Sequence, residues 1–203
     1  FIPNQIHERI LTTLHQTISD LDLIILSDFN YGVLPNDLIK KIYRMCRENN
    51  VMIAADSQSS SQTGDISRFK GMHLITPTER EARISIRNNQ IGLVKLAEEL
   101  IEKSECEHLF IKLGEEGLFL HVEDKNEVGT YTTDRIFALN SSPIDTAGAG
   151  DSMLISSSLV LSAEGNIWES AYIGSMCAAI QVSRLGNIPV QKSELIELMH
   201  SHF

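Results

Sequence analysis

The run Asp145-Thr146-Ala147-Gly148-Ala149-Gly150-Asp151-Ser152 has the residue types and spacing to handle phosphate. Two glycines bracket a small residue, an aspartate follows directly, and an apolar helical pattern begins there. Glycine lets a backbone approach a phosphate closely. The open N–H groups and positive dipole end of a helix attract an anion. Asp151 then stands at the mouth of that anion site, where a carboxylate can take a proton from an attacking hydroxyl. The spacing excludes two other phosphate loops. No Lys follows Gly150, as a Walker loop requires, and Met153 stands where a dinucleotide fingerprint needs its third glycine. Taken alone, the motif also fits a tight turn opening a helix, with Asp151 as a carboxylate favoured by the dipole.

The surrounding pattern must position these residues. Residues 5–19 place Ile6, Ile10, Leu11, Leu14 and Ile18 on one helical face. The apolar run 22–27 predicts a buried parallel strand. Pro35 suits the first turn of a helix carrying Leu38, Ile39, Ile42, Tyr43 and Cys46. A second buried strand covers 51–55 and ends at Asp56. Residues 57–71, rich in Ser, Gln and Gly, read as a surface loop. A third strand at 73–76 is broken by Pro77. Helices from about 78 and across 90–103 lead to a strand at 109–112. Beyond Gly117 the pattern predicts strands near 117–122, 127–133 and 136–139. Helices follow near 148–162, 167–184 and 192–200. This alternation predicts one α/β domain with a mostly parallel sheet covered on both faces. Ligands of such sheets sit beyond the carboxyl ends of the strands. Asp28, Asp56, Thr76 to Glu81 and Gly114 all lie just past such ends.

Composition narrows the class. The 203 residues suffice for one domain with a real core. With 42% hydrophobic and 22% charged residues, the chain reads as soluble and globular. A net charge of −10 argues against nucleic acid or an anionic membrane as partner. It does not bar ATP, because a local anion hole acts against the overall field. The three cysteines, Cys46, Cys106 and Cys177, are odd in number and widely spaced, which suggests neither a zinc site nor a disulfide framework. Cys46 and Cys177 fall on helical patterns as small core residues, and the reducing cytoplasm is the default setting. Apolar runs such as residues 23–26 are far too short to cross a bilayer.

Asp-Thr-x-Gly-Ala-Gly-Asp before a helix resembles the signature of the ribokinase-like (PfkB) carbohydrate kinases. Residues 26–34, Leu-Ser-Asp-Phe-Asn-Tyr-Gly-Val-Leu, resemble the Leu-Ser-Asp-Tyr-x-Lys-Gly-Val-Leu stretch of the D-glycero-β-D-manno-heptose 7-phosphate kinase branch. Residues 65–71 and 74–81 resemble that branch's segment ending in Thr-Pro-Asn-x-x-Glu. Lys112 to Gly117 resembles the family's nucleotide-side Gly-x-x-Gly turn, and 178–186 the late helix bordering the adenine pocket. The matches run in family order along nearly the whole chain. Thr78 stands where the family has Asn, Tyr31 and Gln58 where it has Lys, Ser175 where Asn is common, and Ala147 where Thr is usual. Family members also carry an N-terminal Gly-Gly sugar-binding motif and lid strands. No Gly-Gly precedes Asp28, so the chain resembles the C-terminal two-thirds of such a kinase with the lid region missing.

The resemblance implies a three-layer α/β/α fold and ATP-dependent phosphoryl transfer to a sugar or sugar-phosphate hydroxyl. Asp151 is the implied general base, and Gly148, Ala149 and Gly150 the implied anion hole. Glu81 would serve the Mg²⁺–phosphate end through water. Thr78 with Glu81 equally fits a helix capping box. Asp145 would bind a metal, a monovalent cation beside the anion hole, or else would bond to nearby backbone. Lys112, Gly114 and Gly117 would lie along the nucleotide, although Lys112 also fits a solvated strand end. Asp28 and Asp56 would meet the sugar, or form turns. Lids of this family often pair into dimers, so losing the lid would expose a sheet edge and promote self-association into a homodimer. The other function class consistent with the missing front region is a non-catalytic nucleotide-binding remnant or regulatory subunit.

Overall fold

The computed structural model describes residues 3–58, 64–123 and 130–202. Backbone contacts divide the chain into two compact units, Phe1–Leu109 and Phe110–Phe203. In the first, α1 (Asn4–Thr17) is followed by β1 (Leu23–Asp28), α2 (Asn36–Glu48), β2 (Met52–Ser57) and β3 (Leu74–Ile75). Then come α3 (Glu79–Ile86), α4 (Leu93–Ser104) and the first residues of β4 (His108–Lys112). These strands run parallel in the order β1-β2-β3-β4, with Leu23 beside Met52, Ala54 beside Leu74 and Leu74 beside His108. The amphipathic face of α2 buries Leu38, Ile39, Ile42 and Cys46. Ile53, Phe69, Leu74, Ile75, Leu96 and Leu100 are fully enclosed. A side chain this enclosed contributes about 1.5–3 kcal/mol over its exposed state.

The second unit takes the end of β4, β5 (Leu118–Glu123) and β6 (Tyr131–Ile136), all antiparallel. The helices α5 (Ala149–Ser162), α6 (Ile167–Val182) and α7 (Lys192–His202) follow. A turn at residues 113–117 joins β4 to β5, with the Leu113 N–H donating to the Gly117 carbonyl at 2.8 Å. Gly117 has φ +95, and a Cβ there would strike the Ile136 carbonyl on β6. Only glycine satisfies both demands. α5 and α6 pack through small residues. Ser157 Oγ donates to the Ser170 carbonyl at 3.0 Å and Ser170 Oγ to the Ser157 carbonyl at 2.9 Å. Gly174 leaves no room for a Cβ beside Ser157. α6 opens with a capping box, Asn166 with Glu169.

Most predicted elements are present, with four differences. β1 pairs only with β2 and its residues Leu23 to Ile25 are half-buried, so the expected buried strand is a sheet edge among the described residues. Pro35 is the N-cap of α2 rather than a first-turn residue. Part of the expected surface loop at 57–71 lies outside the described residues. The rest folds inward, because a short 3₁₀ turn at Ile66–Arg68 buries Ile66 and Ser67, with Phe69 beside them. The strands expected at 127–133 and 136–139 are replaced by β6, which runs across the gap between them; residues 127–129 lie outside the described ones. Among the described residues no helix is long and apolar enough to cross a membrane.

All three cysteines are buried and free. Burial raises the thiols of Cys46 and Cys106 to about 11, and raises that of Cys177. They are core residues and stay protonated at neutral pH. Because Gly117 is fixed by both φ and space, Gly117→Ala should lower stability by about 2 kcal/mol or more in urea denaturation. An unchanged midpoint would contradict this account of the turn.

Candidate functional site

α5 begins at Gly148, whose φ of +77 turns the chain into the helix. No side chain caps this end. Ala149 donates its N–H to the Thr146 carbonyl at 3.3 Å, so of the expected anion-hole donors it is already engaged in the turn. The Gly150 N–H meets no acceptor among the described residues. Asp151 follows at the third helical position, half-exposed. An uncapped helix start with open N–H groups is a site suited to an anion.

The loop ahead of this helix is held by a clasp. Asp145 Oδ1 accepts the Ala147 N–H at 3.0 Å, and Oδ2 accepts the Gly186 N–H at 2.9 Å. Gln181, fully buried on α6, donates to the carbonyls of Ala147 and Gly186, both at 3.1 Å. The Ile144 N–H donates to the Val182 carbonyl at 2.7 Å. Asn187 lies against Gly148, where a Cβ would collide with its amide. The Asp145 carboxyl is held below its usual value, first by the Ala147 N–H and then by the Gly186 N–H. The backbone bonding expected as one reading of Asp145 is present. Sequence reasoning missed Gln181 and Asn187, since neither carries a spacing signal.

The turn after β4 places Gly114 at φ +62 with open space around it, while Lys112 ends the strand, partly buried. Gly117 is fixed by β6, so the need for glycine there is explained without a nucleotide.

In the first unit, Thr78 and Glu81 form the complete capping box of α3. The Thr78 N–H donates to Glu81 Oε2 at 2.7 Å, and the Glu81 N–H to Thr78 Oγ1 at 3.3 Å. Glu81 is buried. No group of three or more His, Cys, Asp or Glu able to hold a metal lies among the described residues. A single carboxylate nonetheless fits Mg²⁺ carried on nucleotide phosphates, which keeps much of its water.

Asp28 is buried and both its oxygens are engaged. Oδ1 accepts the Asn30 N–H at 3.1 Å, and Oδ2 meets the Arg68 guanidinium at 2.5 Å. Arg68 also donates to the Leu34 carbonyl at 2.7 Å, so the pair ties down the loop between β1 and α2. Asn30, at φ +60, reaches Ser57 and the Gln58 carbonyl. Asp56 accepts the Ser57 N–H at 2.9 Å. Asp28 therefore holds the turn after β1, Asp56 bonds to the next residue at the end of β2, and Arg68 joins Asp28 unforeseen.

The pfkB family carbohydrate kinase profile matches residues 1–193. The chain belongs to the pfkB family of carbohydrate kinases. It is 29% identical over 197 residues to the Bifunctional protein HldE of Sulfurimonas denitrificans, covering 94% of this chain and 38% of that one. It is 29% identical to the HldE of Geotalea uraniireducens, covering 98% of this chain and 39% of the relative. The chain thus spans about two-fifths of the length of these relatives. Among solved structures it resembles phosphofructokinase-2 from Escherichia coli, with a TM-score of 0.76 at 14% identity, covering 94% of this chain and 61% of that one. It also resembles ribokinase from Thermotoga maritima, with a TM-score of 0.69 at 23% identity, covering 91% and 59%. The fold is the ribokinase-like α/β fold with a mostly parallel sheet.

The lowered Asp145 carboxyl carries a stability signature. Its folded pKa lies below its unfolded value, so its contribution is present above the unfolded pKa of about 4 and is lost as pH falls through the folded pKa. Asp145→Asn should flatten the acid limb of the melting-temperature profile below about pH 4. Superimposable acid limbs for the two proteins would show that the clasp is not formed in solution.

Proposed function

We propose that this chain performs ATP-dependent phosphoryl transfer to a hydroxyl of a sugar or sugar phosphate. The observation that carries the reading is the start of α5, an uncapped helix opening at a left-handed glycine with a carboxylate two residues beyond its first position. In the proposed chemistry the Gly148–Gly150 backbone neutralises charge developing on the transferred phosphoryl group. Binding phosphate would take Ala149 out of its turn bond to Thr146, so Gly150 is the donor already prepared. Asp151 accepts the proton of the attacking hydroxyl. This needs position more than basicity, since alignment and charge stabilisation dominate phosphoryl transfer.

Lys112 and Gly114 line the nucleotide in this reading, with Gly117 shaping their turn. Glu81 orients water on the Mg²⁺ that accompanies ATP, while Thr78 holds Glu81 in place. Mg²⁺ supplies neutralisation of the β- and γ-phosphates when bound. A monovalent cation beside Asp145 is part of the proposal, and the Escherichia coli phosphofructokinase-2 structure is a complex with potassium. The likeness of residues 26–34 and 65–81 to heptose 7-phosphate kinases supports a phosphorylated heptose as acceptor. Asp28 then contributes by holding the 29–35 loop rather than by a vacant carboxylate. The buried thiols suit a reducing cytoplasm. Folding of residues 1–203 as one domain and pairing into homodimers complete the proposal; the unit boundary falls inside β4, where a flexible linker is not expected.

The test is calorimetric titration of ATP, with and without Mg²⁺, followed by ADP release with a panel of sugars and sugar phosphates. Mg²⁺-dependent binding and turnover of a sugar phosphate are expected. Asp151→Asn should retain ATP binding and lose roughly 10²–10⁴-fold in turnover. Full turnover by the variant would overturn the role of Asp151. Binding without turnover across the panel would favour the non-catalytic nucleotide-binding reading.

A further inference from the structure

The face of α3 turned away from Glu81 carries a feature that phosphoryl transfer does not use. Glu79, Arg80, Arg83, Ile84 and Arg87 recur at helical spacing and, with Asn89, line a groove of about 590 Å³. That volume is within the usual range for small-molecule sites. Three guanidinium groups and one carboxylate face it, in a chain whose net charge is −10.

The three arginines are not equivalent. Arg83 is held within the protein: its guanidinium meets Glu79 at 2.7 Å and donates to the Ile91 carbonyl at 2.8 Å. Arg80 and Arg87 are exposed, and their side chains have neither an ion pair nor a hydrogen bond among the described residues. Arg80 lies in the first turn of α3, at the positive end of the helix dipole, where a cation is disfavoured. A simple helix-stabilising role therefore does not account for it. Glu79 is neutralised by Arg83, so the groove keeps two open, planar donor forks with an apolar wall at Ile84. Such forks match the oxygens of a phosphate group, often in bidentate fashion.

We propose that this groove binds the phosphate of a small phosphorylated metabolite. Arg80 and Arg87 grip the phosphate, Arg83 is the fixed wall between them, and Ile84 and Asn89 meet the body of the ligand. The helix that forms the groove is the one whose first turn holds the Thr78–Glu81 box, so occupancy stiffens the element that presents Glu81. The proposal stands on the groove and does not depend on the chain being an active kinase.

The experiment is a titration of the chain with inorganic phosphate and with glycerol 3-phosphate, without ATP or Mg²⁺, at constant ionic strength set by chloride. Amide chemical shifts report where each ligand binds. Shifts should gather on residues 79–89, separately from any shifts at 148–151. Arg80→Ala with Arg87→Ala should weaken the response at 79–89 about tenfold or more, because two charge-assisted contacts are lost. Arg80→Lys with Arg87→Lys should weaken it by less, since charge remains but the fork is gone. Both positions are exposed, and unchanged melting temperatures will confirm that the variants fold. Equal affinity at 79–89 in the wild type and the alanine variant would overturn the proposal. So would the absence of shifts there.

Discussion

The candidate anion site depends on the clasp between the 144–148 loop and the far end of α6. A helix start is usually closed by a Ser, Thr, Asp or Asn side chain. α5 instead begins at a glycine with a left-handed backbone and no capping side chain. That arrangement leaves N–H groups unsatisfied, and something else must hold the chain in it. Asp145 does so from one side, by accepting N–H groups of Ala147 and Gly186. Gln181 does so from the other, by donating to carbonyls of Ala147 and Gly186. The clasp satisfies the loop's own polar groups and leaves the helix start open. The tight contact of α5 with α6, through Ser157, Ser170 and Gly174, then fixes the direction in which that start points within its unit.

The two helices with anion-related features solve the start of a helix in opposite ways. α3 closes its first turn with Thr78 and Glu81, each of which binds the other's N–H. Its positive character comes from side chains along one face. α5 has no basic residue in its first turn and offers backbone instead. Backbone donors suit a phosphoryl group that must approach closely and change charge during reaction, because they need no reorganisation. Arginine forks suit a phosphate that is held without being transferred.

Local features were legible in the sequence and long-range ones were not. The capping box needs only Thr78 and Glu81 three residues apart, and it is present as the spacing suggests. The helices α2 and α4 follow from periodicity over ten or more residues, and α5 and α6 from long, mostly apolar stretches. The edge position of β1 could not be read, because an apolar run such as Leu-Ile-Ile-Leu fits a central strand equally well. The inward fold at Ile66 to Phe69 was hidden by the polar residues before it. At the candidate site, the glycines and Asp151 are contiguous and were found. Gln181 and Gly186 lie far from Asp145 in sequence, and nothing in a single chain marks a buried glutamine as a loop's anchor. Asp28 had the right position at a strand end, but its partner Arg68 comes from a segment that read as loop.

The central claim is that the open start of α5 receives a nucleotide phosphate. The most direct measurement is the backbone amide spectrum of the chain on addition of ATP with Mg²⁺. The account predicts that the Gly150 amide proton moves downfield as it gains a charged acceptor, with Ala149 following as it leaves Thr146. A spectrum in which ATP binds while the amides of residues 148–151 stay in place would contradict it.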